Sequence, residues 1–502
     1  MPARRPAAGA GVARRLAALV LGVPCWLACS DSSPPIACGE LRAPPAPDRA
    51  SVVLVVNDTM RRDRMGIHGG RARTPHFDRL ARENLWFTDA VAQAPWTKPS
   101  IATLFTSLYP TQHGVVTHPA AQVRAGQEIG RRMAASDRLS PSARTLAEAA
   151  RDAGFRTAAF VANPWMDRRF GFDQGFERYD DSFARWGFPG SRVMERALAW
   201  LATLDPDERY FLYVHTIDTH RPYPALTWPE VETALARPPT PGELPPPARR
   251  EITQLVRLEG PRPPGAGPPP KRRVLRRAYD KGVELFDRDL GRLLRGLERD
   301  PRRDRTAVIV TSDHGEALYA RGYGGHSRGL YQSELAVPLA MRLPGTREAR
   351  VDCRVGLIDL MPSLCDWLGL DCPPDMAGHS VFAGLGERTA PPETYLGEAS
   401  VLDPRQRTVY RGPWKLIHQP ASRPEPDRPP RAWQLFHLES DPEEQQDLLR
   451  GEERSPEIVG AFRELRDALA EEVPPVADLE PGGDVEIDAK LEERLRSLGY
   501  LD

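Results

Sequence analysis

The sequence is short of cysteine, of net charge and of apolar runs long enough to cross a bilayer. Its 502 residues hold six cysteines and no Cys-x-x-Cys pair, which removes the usual spacing of a structural zinc site. Basic and acidic residues number 68 and 69. A strongly basic face is therefore not implied, and nucleic acid is not expected as a partner. Past the N-terminal leader, no apolar stretch approaches the roughly 20 residues of a membrane span. No sequence repeat is apparent.

Proline, by contrast, is plentiful: 52 residues, about twice the usual share. Much of it falls in three runs, Pro34 to Pro47, Pro238 to Pro270 and Pro420 to Pro430, which read as linkers or surface loops. The chain opens with a basic segment, MPARRPAAGAGVARR, then apolar LAALVLGV, then CWLACSDSS. That order is the pattern of a secretory signal, placed at residues 1–29. Cys29 follows Leu27 and Ala28 and resembles the lipid-attachment site of bacterial lipoproteins, although Trp26 stands where leucine is usual. Ordinary cleavage nearby is the alternative. The expectation is an exported protein, periplasmic or anchored to the outer membrane through lipid on Cys29. Export would permit a disulfide among Cys353, Cys365 and Cys372; buried free thiols are the alternative.

After a Pro-rich linker (30–48), four apolar, β-branched runs read as strands buried on both faces: SVVLVV, TAAFVAN, YFLYVHTID and TAVIVTSD. Helical patterns separate them. Such alternation predicts a mostly parallel sheet covered by helices on each side, with functional residues beyond the carboxyl ends of the strands. Three strand ends carry Asp or His: Asn57 and Asp58; His215, Asp218 and His220; Asp313 and His314. From about Tyr395 the texture changes to short strand-like runs followed by a helix, which predicts a small α+β subdomain over 395–502 after a catalytic domain over 49–394. A Pro-rich insertion at 236–273 is too long for an ordinary connection and is expected to overhang the site; a disordered surface insertion is the alternative.

In TSDHGEALYARGYGGHS, Asp313 and His314 come directly after a strand, Gly315 allows a tight turn, and His326 returns after a glycine-rich loop. A carboxylate with an imidazole is a common way to hold a divalent cation. Asp218 and His220 are two apart, which on an extended segment puts both on one side. They would hold a second cation, or His220 would serve the leaving group as general acid. His215, inside its strand, reads as a buried structural histidine. Thr97 precedes Pro99 and Ser100 and suits a helix N-cap. Its other reading places the hydroxyl on a metal at a helix N-terminus, where an ester's anionic oxygens would also bind. Lys98 would pair with a non-bridging ester oxygen, or be a solvated charge.

Seven segments together, VVNDTMRRDRMG, APWTKPSIATLFTSLYPTQHGV, FGFDQGF, HTIDTHRPY, SDHGEALYARGYGGHS, IDLMPSLCDWLG and LEERLRSLGYLD, resemble the sulfatase branch of the alkaline phosphatase superfamily, in that family's order. The resemblance implies an α/β fold, with an alkaline-phosphatase-like large domain, a small C-terminal domain and one or two divalent ions (Ca, Mg, Mn or Zn) at the sheet's edge. It implies Asp58, Asp313 and His314 as metal ligands, with Asp218 added for a second ion. It puts His220 and His326 near the ester and Thr97 at the nucleophile's position. Three departures stand out. Thr97 replaces the Cys or Ser that becomes formylglycine, Ile101 replaces the motif's arginine, and Thr59 replaces the second aspartate of an Asp-Asp pair. A formylglycine hydrate expels sulfate with its second hydroxyl. Threonine has one, so its ester would need water attack. The expectation is a metal-dependent hydrolase or transferase of anionic phosphate or sulfate esters, leaning to phosphodiesters and phosphonates. The alternatives are a sulfatase without formylglycine and an inactive anion-binding protein.

Overall fold

The core of the molecule is an eight-stranded sheet, and its strands come from eight separate stretches of the chain. They are β1 (Ser51–Asn57), β2 (Leu85–Val91), β3 (Arg156–Val161), β4 (Arg178–Asp180), β5 (Tyr210–Thr216), β6 (Thr306–Thr311), β7 (Ala336–Arg342) and β8 (Ala349–Gly356). Their order is β8-β2-β7-β6-β1-β5-β3-β4. All neighbours are parallel except at β7, which runs against both β2 and β6. The structure is a computed structural model that describes residues 35–37, 39–117, 136–182, 190–227, 256–259, 271–321, 323–382, 394–398, 401, 405–420, 432–450, 454–471, 479–480 and 482–498. The leader with Cys29 lies outside these residues. So does nearly all of the 236–273 insertion, of which the Val256–Glu259 strand and the helix start at Lys271 are described.

Alternation along β1 explains why the sheet is covered twice. Val52, Leu54 and Val56 join one apolar cluster and Val53 and Val55 the other. On the first face, α2 (Thr97–Thr106) contributes Ile101, Ala102, Leu104 and Phe105. The opposite face takes α1 (Pro75–Arg82), α3 (Gly190–Leu201) and the 28-residue α4 (Lys271–Glu298). On α4, Val283, Phe286, Leu290, Leu293 and Leu297 recur at the three- and four-residue spacing that lines one helical face. Each fully buried side chain of this size contributes about 1.5–3 kcal/mol before ordering costs.

The C-terminal part builds its own antiparallel sheet, β9 (Thr394–Glu398), β10 (Arg407–Arg411), β11 (Trp414–His418) and β12 (Trp433–His437), in sequence order. A helix over Pro456–Glu471 packs Ala461, Leu465, Ala468 and Leu469 into the same cluster as Leu416 and Leu435. Cys365 and Cys372 form a disulfide, and Cys353 is disulfide-bonded too, so the free-thiol alternative is set aside for all three. Among the described residues no helix is long and apolar enough to cross a membrane.

Candidate active site and metal centre

β1, β5 and β6 lie side by side in register, Val56 opposite both His215 and Thr311. The turns leaving these strands therefore emerge at one edge of the sheet. Asp58, His215 and Asp313 bring ligand atoms within 4.8 Å of one another, all fully buried. His314 adds its Nε2 at 3.6 Å from Asp58 Oδ1 and 3.5 Å from Asp313 Oδ2. His215 Nε2 stands 3.7 Å from Asp313 Oδ2.

The turns that deliver these groups are held by hydrogen bonds. Asp313 Oδ1 accepts from the amides of Thr59 (3.2 Å) and His314 (2.9 Å), which leaves Oδ2 for the centre. Ser312 Oγ donates to the Asn57 carbonyl at 2.7 Å and accepts from Met60 N at 2.8 Å. Ser100 Oγ donates to the Asp313 carbonyl at 2.5 Å, tying α2 to the same turn. Gly315 is required by close approach: a Cβ there would stand 2.3 Å from the Ser333 carbonyl oxygen. His314 Nδ1 donates to the Gly315 carbonyl at 2.9 Å. That bond fixes the tautomer and leaves Nε2 with its lone pair toward the carboxylates, as metal-binding imidazoles are usually held.

Two buried carboxylates side by side are unstable without a counter-charge. Burial, then the charge of Asp313, pushes the Asp58 carboxyl well above its ordinary range. At Asp313 burial acts the same way, but His314 and His215 outweigh it and hold the group down to about 2. Asp58 Oδ1, Asp313 Oδ2 and both ring nitrogens of His215 are buried without a hydrogen-bond partner. Orphaned acceptors of this kind carry a substantial desolvation cost. The set of carboxylate oxygens and imidazole nitrogens fits a divalent cation.

Thr97 is the first residue of α2, and Trp96 holds the N-cap position. The N-cap expectation is corrected accordingly. Its Oγ1 instead donates toward Asp58 Oδ2 at 3.4 Å and lies 3.4 Å from His314 Nε2. Asn163, at the end of β3, donates from Nδ2 to Thr97 Oγ1 at 3.2 Å and closely to Asp58 Oδ2. The His314 and His326 rings are 4.6 Å apart and those of His326 and His220 5.1 Å apart. His220 Nδ1 donates to the Arg221 carbonyl at 2.6 Å, and His326 Nδ1 is 3.3 Å from Glu316 Oε2.

Asp218 and Lys98 stand elsewhere than the sequence suggested. The chain turns after β5, with His220 N bonding to the Ile217 carbonyl, so the alternation of an extended segment does not hold. Asp218 Oδ1 instead accepts from Gly190 N at 3.0 Å, at the start of α3. Burial pushes its carboxyl up to about 6. Lys98 is fully buried and donates to Ser136 Oγ (2.7 Å) and the Asp137 carbonyl (2.5 Å), with its ammonium 4.3 Å from the Phe170 ring centroid. It is neither a solvated charge nor a group held out for an ester oxygen. His215, read from sequence as structural, lies in the centre. Sequence reasoning gave Asn163 and Glu316 no role. The signal for His215 was an imidazole near the carboxyl end of an otherwise apolar strand.

Known proteins share this geometry's sequence and fold. A family profile described as Sulfatase matches residues 50–370. The multifunctional alkaline phosphatase superfamily protein PehA of Trinickia caryophylli is 27% identical over 410 residues, covering 68% of this chain and 77% of its own. Mouse arylsulfatase K is 29% identical over 171 residues, 32% of this chain and 29% of the mouse protein. The match thus spans under a third of that relative's length. Among solved structures, the phosphonate monoester hydrolase of Agrobacterium radiobacter superposes with a TM-score of 0.63 at 19% identity, covering 88% of this chain and 98% of its own.

Proposed function

The chain belongs to the sulfatase family, and from that premise we propose that it hydrolyses phosphate or sulfate esters with Thr97 as nucleophile, phosphodiesters and phosphonate monoesters ahead of aryl sulfates. The observation that carries the reading is the position of Thr97 Oγ1, 3.4 Å from both Asp58 Oδ2 and His314 Nε2 at the first residue of its helix.

A divalent cation held by Asp58, Asp313 and His314 would supply charge that acidifies an alcohol and offsets charge on ester oxygens. The chain's own groups do the rest. Thr97 directs its proton at Asp58 Oδ2, and Asn163 Nδ2 holds both oxygens in place. The positive end of the ten-residue α2 faces the ester's anionic oxygens. Thr97 Oγ bonds to phosphorus as the bond to the alcohol oxygen breaks, and the departing oxygen takes a proton from Nε2 of a His326 imidazolium held at Nδ1 by Glu316. Water then attacks phosphorus and gives its proton to that Nε2, while Thr97 Oγ leaves phosphorus and recovers its proton from Asp58 Oδ2. His220, kept neutral by burial and with Nδ1 donating to the Arg221 carbonyl, offers Nε2 as an acceptor that orients the water.

A single hydroxyl has no second oxygen to expel sulfate as an aldehyde forms, so phosphorus is the favoured centre. Likeness to a multifunctional superfamily protein and to a phosphonate monoester hydrolase supports that direction. Sulfate ester hydrolysis is the second reading, supported by the arylsulfatase likeness. A panel of aryl sulfate, phosphomonoester, phosphodiester and phosphonate monoester substrates separates them, with mass spectrometry of the trapped enzyme. A phosphoryl adduct on the Thr97 peptide is expected. No turnover of any ester by metal-loaded enzyme would leave the anion-binding alternative standing.

Export belongs to the same proposal. The leader and the Cys365–Cys372 disulfide suit an oxidising compartment. Fractionation should find the protein outside the cytoplasm. Cys29→Ser should release it from the membrane fraction if Cys29 carries lipid, and leave its distribution unchanged if the leader is cleaved nearby.

A further inference from the structure

We infer that His215 is a fourth ligand of the cation site, and that the resulting two imidazoles and two carboxylates select a zinc-type transition ion over calcium or magnesium. This rests on the metal-dependent reading of the same site and specifies the ion that site takes.

Thr59 makes the first half of the case. The residue after Asp58 carries a hydroxyl, and that hydroxyl is already engaged. Thr59 Oγ1 donates to the Asp58 carbonyl at 2.6 Å and lies 3.3 Å from Thr219 Oγ1. Its amide goes to Asp313 Oδ1. Thr59 therefore offers the centre no free oxygen. Calcium takes six to eight oxygen ligands, and magnesium an octahedron of them.

His215 stands where a replacement would be needed. It lies on β5 between β1 and β3, opposite Val56 and Val161, and is fully buried. A core histidine normally has a hydrogen-bond partner on at least one nitrogen. Neither nitrogen of His215 has one, and its nearest acidic atom is Asp313 Oδ2 at 3.7 Å. Its ligand atom joins those of Asp58 and Asp313 within 4.8 Å. A cation there would satisfy three orphaned atoms together: Asp58 Oδ1, Asp313 Oδ2 and one nitrogen of His215. With His314 Nε2, whose tautomer Gly315 fixes, the donors become two nitrogens and two oxygens. Imidazole suits zinc and its first-row neighbours, whereas calcium and magnesium favour oxygen alone.

The test reads bound metal, not turnover. The purified full chain is stripped with chelator and offered Zn²⁺ against Ca²⁺ and against Mg²⁺, with bound metal counted by mass spectrometry. A preference of about 100-fold or more for Zn²⁺ is expected. The Cu²⁺-loaded protein should show electron-spin coupling to two imidazole nitrogens, and His215→Gln should show one. His215→Asp, which restores a carboxylate, should move the preference toward Ca²⁺ by about 10-fold or more. Calcium outcompeting zinc in the unaltered protein would overturn the inference. So would one nitrogen in its spectrum, or two retained in a folded His215→Gln. If His215→Gln does not fold, the unaltered protein's ion preference and nitrogen count decide alone. Failure of the hydrolase reading looks different: the right ion bound, and no ester consumed.

Discussion

Two regions of this molecule bury charge, and they do it in opposite ways. Under the C-terminal sheet, Lys415 Nζ lies 2.6 Å from Glu444 Oε1, Arg321 reaches Glu444 Oε2 at 3.3 Å, and the Lys415 ammonium sits 4.8 Å from the Tyr410 ring centroid. Each charge there meets its opposite. At the carboxyl ends of β1, β5 and β6, Asp58 and Asp313 face each other with acceptor atoms unmatched. The first arrangement balances its charges within the chain. The second sets carboxylates and imidazoles together as a cation site would.

Removing one member of each cluster should therefore have opposite consequences. Asp313→Asn is expected to reduce bound metal to background and turnover by at least about 10³-fold. Full metal content in that variant, counted by mass spectrometry, would refute the centre. Thr97→Ala should lower turnover by a similar factor, at least about 10³-fold, while metal content stays at the unaltered level. Thr97→Ser should keep measurable activity. A cap would instead cost about 0.5–2 kcal/mol of stability and spare catalysis.

On the other side, Lys415→Met leaves Glu444 with weaker compensation and is expected to cost about 3–5 kcal/mol in denaturant melts, with metal content untouched. Pairing it with Glu444→Leu should recover much of that loss. A Lys415→Met protein of normal stability but low metal content would erase the distinction between the regions.

The smallest effect concerns another buried acid, Glu334, which makes no ion pair among the described residues. Tyr323 donates to its Oε1, and the Arg328 amide to its Oε2 at 3.2 Å. Burial first, against these hydrogen bonds, pushes its pKa up to about 8. The folded state then holds a proton that the unfolded chain releases near about 4.3. This contribution is full below that value and is lost as pH rises toward about 8, with a slope of at most about 1.4 kcal/mol per pH unit. Glu334→Gln should flatten that slope in melts at about pH 5, 6.5 and 8. An unchanged slope would assign it to other groups.

The sequence was most legible where a strand is buried on both faces. β1, β3, β5 and β6 appear as unbroken apolar runs. β2, β7 and β8 did not: LWFTDAV and ARVDCRVG mix charged residues that stay partly exposed near the sheet's β8 edge, and AVPLAMR carries a proline. Of the site, Asp58, Thr97, Asp313 and His314 were legible because they come after strands or open a helix in a known order. Asp218 was misplaced because its spacing to His220 was read on an extended segment where the chain turns. His215 was read as structural because nothing in YFLYVHT tells a core imidazole from one aimed at two carboxylates. That difference lies in residues 58 and 313, far along the chain.

The serine that ties Asn57 to the turn before His314 crosses 255 positions of sequence. A chain emerging from a ribosome therefore carries Asp58 and Thr97 long before it carries their partners, and contacts of such separation close late and slowly. The centre has no early form with which to collect an ion. A chain exported before it folds would meet its metal in the compartment where folding finishes.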